Sequence, residues 1–161
     1  MNLFNILKLN NFEIAYAVVF ILSIIIGIGY GLIDKEYYKC CEDFIGVPEE
    51  GTSPMKIFSS NYLISMTELA TAGLSSLYFN FKTFSVTSSY LNSQGELFVL
   101  PVIMIIGIFE LVGSLCLALA GFSFVERMVK IKSRLKFAQL FLLGTALIFI
   151  GAVVEYLLIT I

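Results

Sequence analysis

Residues 14–33 read IAYAVVFILSIIIGIGYGLI, twenty consecutive positions without a charge. A helix rises about 1.5 Å per residue, so about 20 apolar residues match the ~30 Å hydrocarbon core of a bilayer. Backbone amides have no water to bond in that solvent, so such a stretch must be helical. It is too long for the core of a signal peptide, has only Lys8 before it and lacks a small-residue cleavage site ahead of Asp34. A retained helix is expected, with the apolar lead-in Leu3, Phe4, Ile6 and Leu7 lying in the interface.

Outward from this stretch, residues 97–125 hold Glu110 as their only charge and residues 137–161 hold Glu155 as theirs. A fourth stretch, 57–80, is apolar enough to enter a bilayer but contains Asn61, Glu68 and many Ser and Thr. Over all 161 residues the chain is 58% hydrophobic, outside the roughly 45–50% of soluble domains. The expected fold is all-α: a single integral membrane domain, a polytopic bundle of four to five membrane helices.

Arg127, Lys130, Lys132, Arg134 and Lys136 crowd into the connection 126–136. Cytoplasmic loops hold such excesses of positive charge, so this loop is expected inside the cell membrane and the C-terminus outside. Sidedness of the rest depends on residues 57–96. A single crossing gives four spans and an internal acidic loop at 34–56, with eight of the ten Lys and Arg inside. A segment that enters and returns as two shorter helices puts that loop outside. Pro54 and Gly51 mark the end of the acidic loop, and Asn92, Ser93, Gln94 and Gly95 mark a turn before the long helix. Pro101 then falls in that helix's first turn, where a missing amide costs little.

There is no histidine in the chain, which removes the commonest general base and metal ligand. Cys116 reads as a small apolar residue within a helix. Cys40 and Cys41 are neighbours in the acidic loop, where a bond between them is strained; pairing with another chain, lipidation of one thiol, or plain reduced thiols all stay open. No nucleophile motif, metal-ligand cluster or phosphate-binding glycine loop is present. No catalytic residue, metal or cofactor is expected, and a single five-charge turn is a membrane anchor rather than a nucleic-acid site.

Membrane helices associate through small residues and polar contacts. Ser23, Gly27 and Gly31 form one stripe on the first helix, Gly107, Ser114, Ala118 and Gly121 one on the long helix, and Gly144 and Gly151 one on the last. In the mixed segment, Asn61, Ser65, Glu68, Ala72 and Ser75 fall within about 80° of a helical wheel, a polar face that must look inward or at water. Glu68, Glu110 and Glu155 lie at membrane depth without a Lys, Arg or His in the same helices. A charged carboxylate there costs about 2.5–3.5 kcal/mol, which makes each a functional candidate. Desolvation without a cation favours the neutral acid, so Glu110 is expected to donate a hydrogen bond. Asn61, Glu68, Glu110 and Glu155 form the expected buried polar core, acting as glue between helices or, alternatively, as a proton or cation relay.

Asn61 opening a helix, Gly107-Ile108-Phe109-Glu110 within a long helix, and Ala152-Val153-Val154-Glu155 followed by Thr160 resemble the stage II sporulation protein M family over roughly residue 58 to the C-terminus. The family's Pro-His pair is replaced here by Ile105-Ile106, and its Asn-Gly turn has only Asn80 or Asn92 as imperfect counterparts. The resemblance implies a five-pass, non-catalytic membrane protein, which in sporulating bacteria belongs to a complex recruiting cell-wall-degrading partners. A scaffold or complex subunit is therefore expected, with the lipid bilayer and either membrane-protein partners or further copies of itself as its contacts. The alternative is a small transporter or permease subunit that couples protons or cations to its intramembrane glutamates.

Overall fold

The computed structural model describes residues 11–41, 53–129 and 137–159. The interfacial lead-in, most of the acidic loop, Lys130, Lys132, Arg134 and Lys136 of the basic turn, and Thr160 lie outside the described residues. Within them the fold is all-helical: α1 (Asn11–Ile33), α2 (Pro54–Ala70), α3 (Leu74–Gln94), α4 (Leu100–Met128) and α5 (Phe137–Ile159), with 3₁₀ turns at Tyr37–Cys40 and Leu97–Val99.

Three of these helices are long and apolar enough to cross a membrane, through Glu13–Ile33, Gly107–Met128 and Phe137–Leu157. The outer faces carry the same message. On α1 the side chains of Val18, Val19, Ile21, Leu22, Ile25 and Ile26 are all exposed. Soluble monomers seldom display contiguous apolar patches beyond a few hundred Å², so this face is suited to lipid.

The mixed stretch 57–80 is not one helix. α2 starts where Ser53 caps it, its hydroxyl accepting from the Lys56 amide with Pro54 in the first turn. It ends after Ala70, because Ala72 takes φ +49° and Gly73 φ +84°. The Gly73 amide bonds back to the Glu68 carbonyl at 2.7 Å and the Ala72 amide to that of Leu69 at 3.2 Å, the paired closure of a Schellman motif. α3 ends on the same device, with Gly95 at φ +75° and the Glu96 amide bonded to the Leu91 carbonyl at 2.8 Å. The polar face expected through Ala72 and Ser75 therefore stops at Glu68, and Ser75 belongs to the next helix.

The resulting order is a hairpin, α2 and α3, inserted between α1 and the α4/α5 pair. Tyr16 near the start of α1 donates to the Gly73 carbonyl at 3.0 Å and is hydrogen-bonded to the Ser76 hydroxyl, clamping the hairpin's apex. From there α1 and α3 run parallel, with Ser88 donating to the Ile28 carbonyl at 3.2 Å and Asn92 to that of Leu32 at 2.9 Å. α2 packs on both α4 and α5, which run side by side. Two apolar clusters fill the interior, one around Phe20, Ile24 and Phe84, the other around Cys116, Leu119, Ala120 and Leu140, with Tyr16 and Leu115 packed against both.

Candidate functional site: a polar core between α2, α4 and α5

Asn61, Ser65 and Glu68 lie on consecutive turns of α2, and the last two are buried. The face they form looks onto α4. The Asn61 amide donates to Glu110 Oε1 at 2.5 Å, and one turn along, the Ser114 hydroxyl donates to Glu68 Oε2. Glu68 is 2% exposed. Both carboxyl groups thus receive a hydrogen bond from a partner helix. Accepting through the carbonyl oxygen is equally open to a neutral acid, which carries one donor and acceptor capacity besides.

α5 completes the group. A side-chain carbon at Gly151 would stand against Cγ of Glu110, so the glycine is the space into which that glutamate extends. Glu155, one turn further, is half-buried and close enough to Glu110 to interact with it electrostatically. The structure therefore gathers Asn61, Glu110 and Glu155 in one place and Glu68 with Ser114 in the next turn. Asn61 sits well inside α2 rather than opening it.

The small-residue stripes separate into two kinds. Close helix contacts occur at Gly27 against the Phe81 backbone, Gly31 against the Ser85 carbonyl and Ser88 hydroxyl, Gly121 against the Leu69 carbonyl, and Gly144 against the Gly113 carbonyl. Ala118 is fully buried. Gly107 has no atom within 4 Å of where a side chain would begin, so it is not part of a seam within this chain. The Ser23 hydroxyl returns to its own helix, donating to the Phe20 carbonyl at 2.7 Å. Ser114, singled out for its size, contributes a hydroxyl to Glu68 instead.

Several residues that matter to this arrangement were not singled out from the sequence. Gly113 faces Gly144 and Ile148 across the α4/α5 seam, and its spacing of six from Gly107 broke the expected stripe. Ser85, Ser88 and Ser89 line α3 against α1 and are fully buried; their clustering in the sequence was the available signal. Tyr16 carried none, since nothing local distinguishes it from an interfacial tyrosine. Glu13 and Glu126 are buried at the far ends of α1 and α4.

Among the described residues no group of three or more Cys, Asp or Glu is placed to hold a metal ion. No protein-family model matches the chain, and no curated protein or solved structure matches it either.

Proposed function

We propose that this chain is a non-catalytic membrane scaffold or complex subunit, a five-helix bundle of the kind its resemblance to the stage II sporulation protein M family implies. The observation that carries the reading is the pairing of Glu68 with Ser114 and of Glu110 with Asn61. Two costly intramembrane carboxyls are spent on joining α2 to α4, as glue is and as a free transport site is not. Burying a polar group without a partner costs several kcal/mol in hydrocarbon, and each of these bonds offsets that for both of its members.

The register of the helices supports five crossings. α2 and α3 are about 25 and 31 Å long at 1.5 Å per residue, each close to the hydrocarbon thickness. Seven of their polar residues, Ser65, Glu68, Ser76, Asn80, Ser85, Ser88 and Ser89, are buried within the bundle rather than turned outward. With the basic turn between α4 and α5 inside the cell, the hairpin's apex and the N-terminus are also inside. Residues 34–56 and the C-terminus are then outside.

A second reading rests on Glu155, one turn along α5 from the glycine whose space Glu110 fills: two carboxyls that interact electrostatically suit proton or cation coupling. Co-purification of the tagged chain from native membranes discriminates between the two. The scaffold reading expects stoichiometric membrane-protein partners or a defined homo-oligomer. A chain that isolates alone and carries proton or cation flux when reconstituted in liposomes contradicts it. Reporters fused after Lys130 and at the C-terminus should read cytoplasmic and external respectively; agreement between them means that α5 does not span.

A further inference from the structure

Two of the chain's three cysteines, Cys40 and Cys41, meet beside α3. The 3₁₀ turn Tyr37–Cys40 folds back from the end of α1 onto α3, anchored by Ser89, whose hydroxyl donates to the Asp34 carbonyl at 2.7 Å and accepts from the Tyr38 amide at 3.2 Å. This presents Cys40 and Cys41 together, their sulfurs 3.3 Å apart. Cys40 is exposed, while Cys41 is covered by its neighbours at the edge of the fold. Around the Cys41 sulfur, Cys40, the Lys82 ammonium and the Tyr37 hydroxyl all lie within hydrogen-bonding reach. Burial pushes the Cys41 thiol up, but the hydrogen bonds from Cys40 and Lys82, with the charge of Lys82, outweigh it and leave the group below its ordinary value. Cys40 is pushed up, chiefly by its hydrogen bond to Cys41.

Two convergent sulfurs have two natural fates, to bond to each other or to share a third atom. Neighbouring Cα atoms stand about 3.8 Å apart, short of the roughly 4.4–6.8 Å that a relaxed disulfide spans. A bond between them is therefore strained and easily reduced, which keeps the pair available as a dithiol. Soft thiolate ligands select soft centres.

We propose that Cys40 and Cys41 form a vicinal dithiol site that chelates one soft, thiophilic centre of the Cu(I) or trivalent-arsenic class. Cys41 supplies the first sulfur, whose deprotonated form Lys82 and Tyr37 favour. Exposed Cys40 closes the chelate. Each thiol proton passes to solvent as its sulfur bonds to Cu(I), with no change of oxidation state. With an organoarsenic oxide the two thiol protons leave with the oxide oxygen as one water. The Cu(I) bis-thiolate carries one negative charge, which Lys82 balances; the arsenic complex is neutral.

The test uses the full-length protein in detergent, reduced with a phosphine and freed of it, and titrated separately with Cu(I) under a competing chelator and with phenylarsine oxide. Intact mass should show one equivalent bound per chain, and free-thiol assay should fall from three thiols to one. Uptake of only one of the two probes assigns the site to that source. Cys116→Ser should bind as the parent does. Cys40→Ser and Cys41→Ser, checked for unchanged thermal unfolding, should each lose affinity by about a hundredfold or more, as expected when an intramolecular second contact is removed. Lys82→Met should slow iodoacetamide modification of Cys41 at neutral pH. Uptake that survives in either single serine variant, or no uptake of either probe by verified free thiols, overturns the proposal. So does ready closure of a Cys40–Cys41 bond in air in place of chelation.

Discussion

The two long seams of this bundle are built from the same small residues to opposite ends. Between α1 and α3, Gly27 and Gly31 bring backbone onto backbone, and the serine hydroxyls that line the contact are spent on carbonyls: Ser85 on Phe81 at 2.6 Å and Ser88 on Phe84 at 2.6 Å. Between α2, α4 and α5, Gly151 makes room for a glutamate, and the hydrogen bonds run from side chain to side chain across helices. Close packing serves both, at Gly27 and Gly31 in the first and at Gly121 and Gly144 in the second; what the second adds is polar pairing between side chains at Glu68 and Glu110. In lipid, where apolar burial gives helices no reason to associate, these are the two available means.

The comparison predicts unequal penalties. Gly31→Val should be the largest loss among the changes compared, because a side-chain carbon there already meets the Ser85 carbonyl, the Ser88 hydroxyl and the Ser89 amide. Overpacking of this kind costs about 1–3 kcal/mol, and a rigid backbone neighbour puts it at about 3. Gly107→Val is its control, since nothing lies within 4 Å of that position. Denaturant unfolding in detergent measures both; equal losses would mean that the α1/α3 contact at Gly31 is not close-packed.

Glu110→Leu should cost less, about 1 kcal/mol, because it strands Asn61 but membrane hydrogen bonds average only ~0.6 kcal/mol with a maximum near 1.7. A loss as large as that of Gly31→Val would erase the distinction between the two seams. Smaller still, and of opposite sign, is Ala72→Gly. An L-residue in the left-handed region is strained, so glycine at φ +49° should stabilise the hairpin by roughly 0.5–1 kcal/mol. Thermal unfolding reads this shift, and destabilisation would show that Ala72 does not hold the apex.

The apolar helices were legible because uninterrupted hydrophobicity over about 20 residues has no other stable outcome in a membrane chain. The break within 57–80 was not. It turns on Ala72 adopting a conformation usually left to glycine, and alanine is otherwise the best helix former. A helical wheel drawn through it kept Asn61, Ser65 and Glu68 on one face correctly and carried Ala72 and Ser75 along wrongly. The four polar residues of the core were legible because charged and amide side chains stand out within otherwise apolar stretches. Their partners were not, since pairing Glu110 with Asn61 and Glu68 with Ser114 depends on how α2 is registered along α4. Spacing along one helix gives the face and leaves its neighbour open, which is why Gly107 fell on a plausible stripe and Gly113 did the packing.

The central claim is that the carboxyls join helices rather than carry protons, and Glu110→Gln tests it most directly. Glutamine keeps the shape and an oxygen to accept from Asn61, but it has no proton to release at any physiological pH. Stability in detergent, partner recovery from native membranes and cellular function, measured together on this variant, should all match the parent within error. A variant that folds and assembles normally yet has lost its cellular function would contradict the account and assign Glu110 and Glu155 to transport.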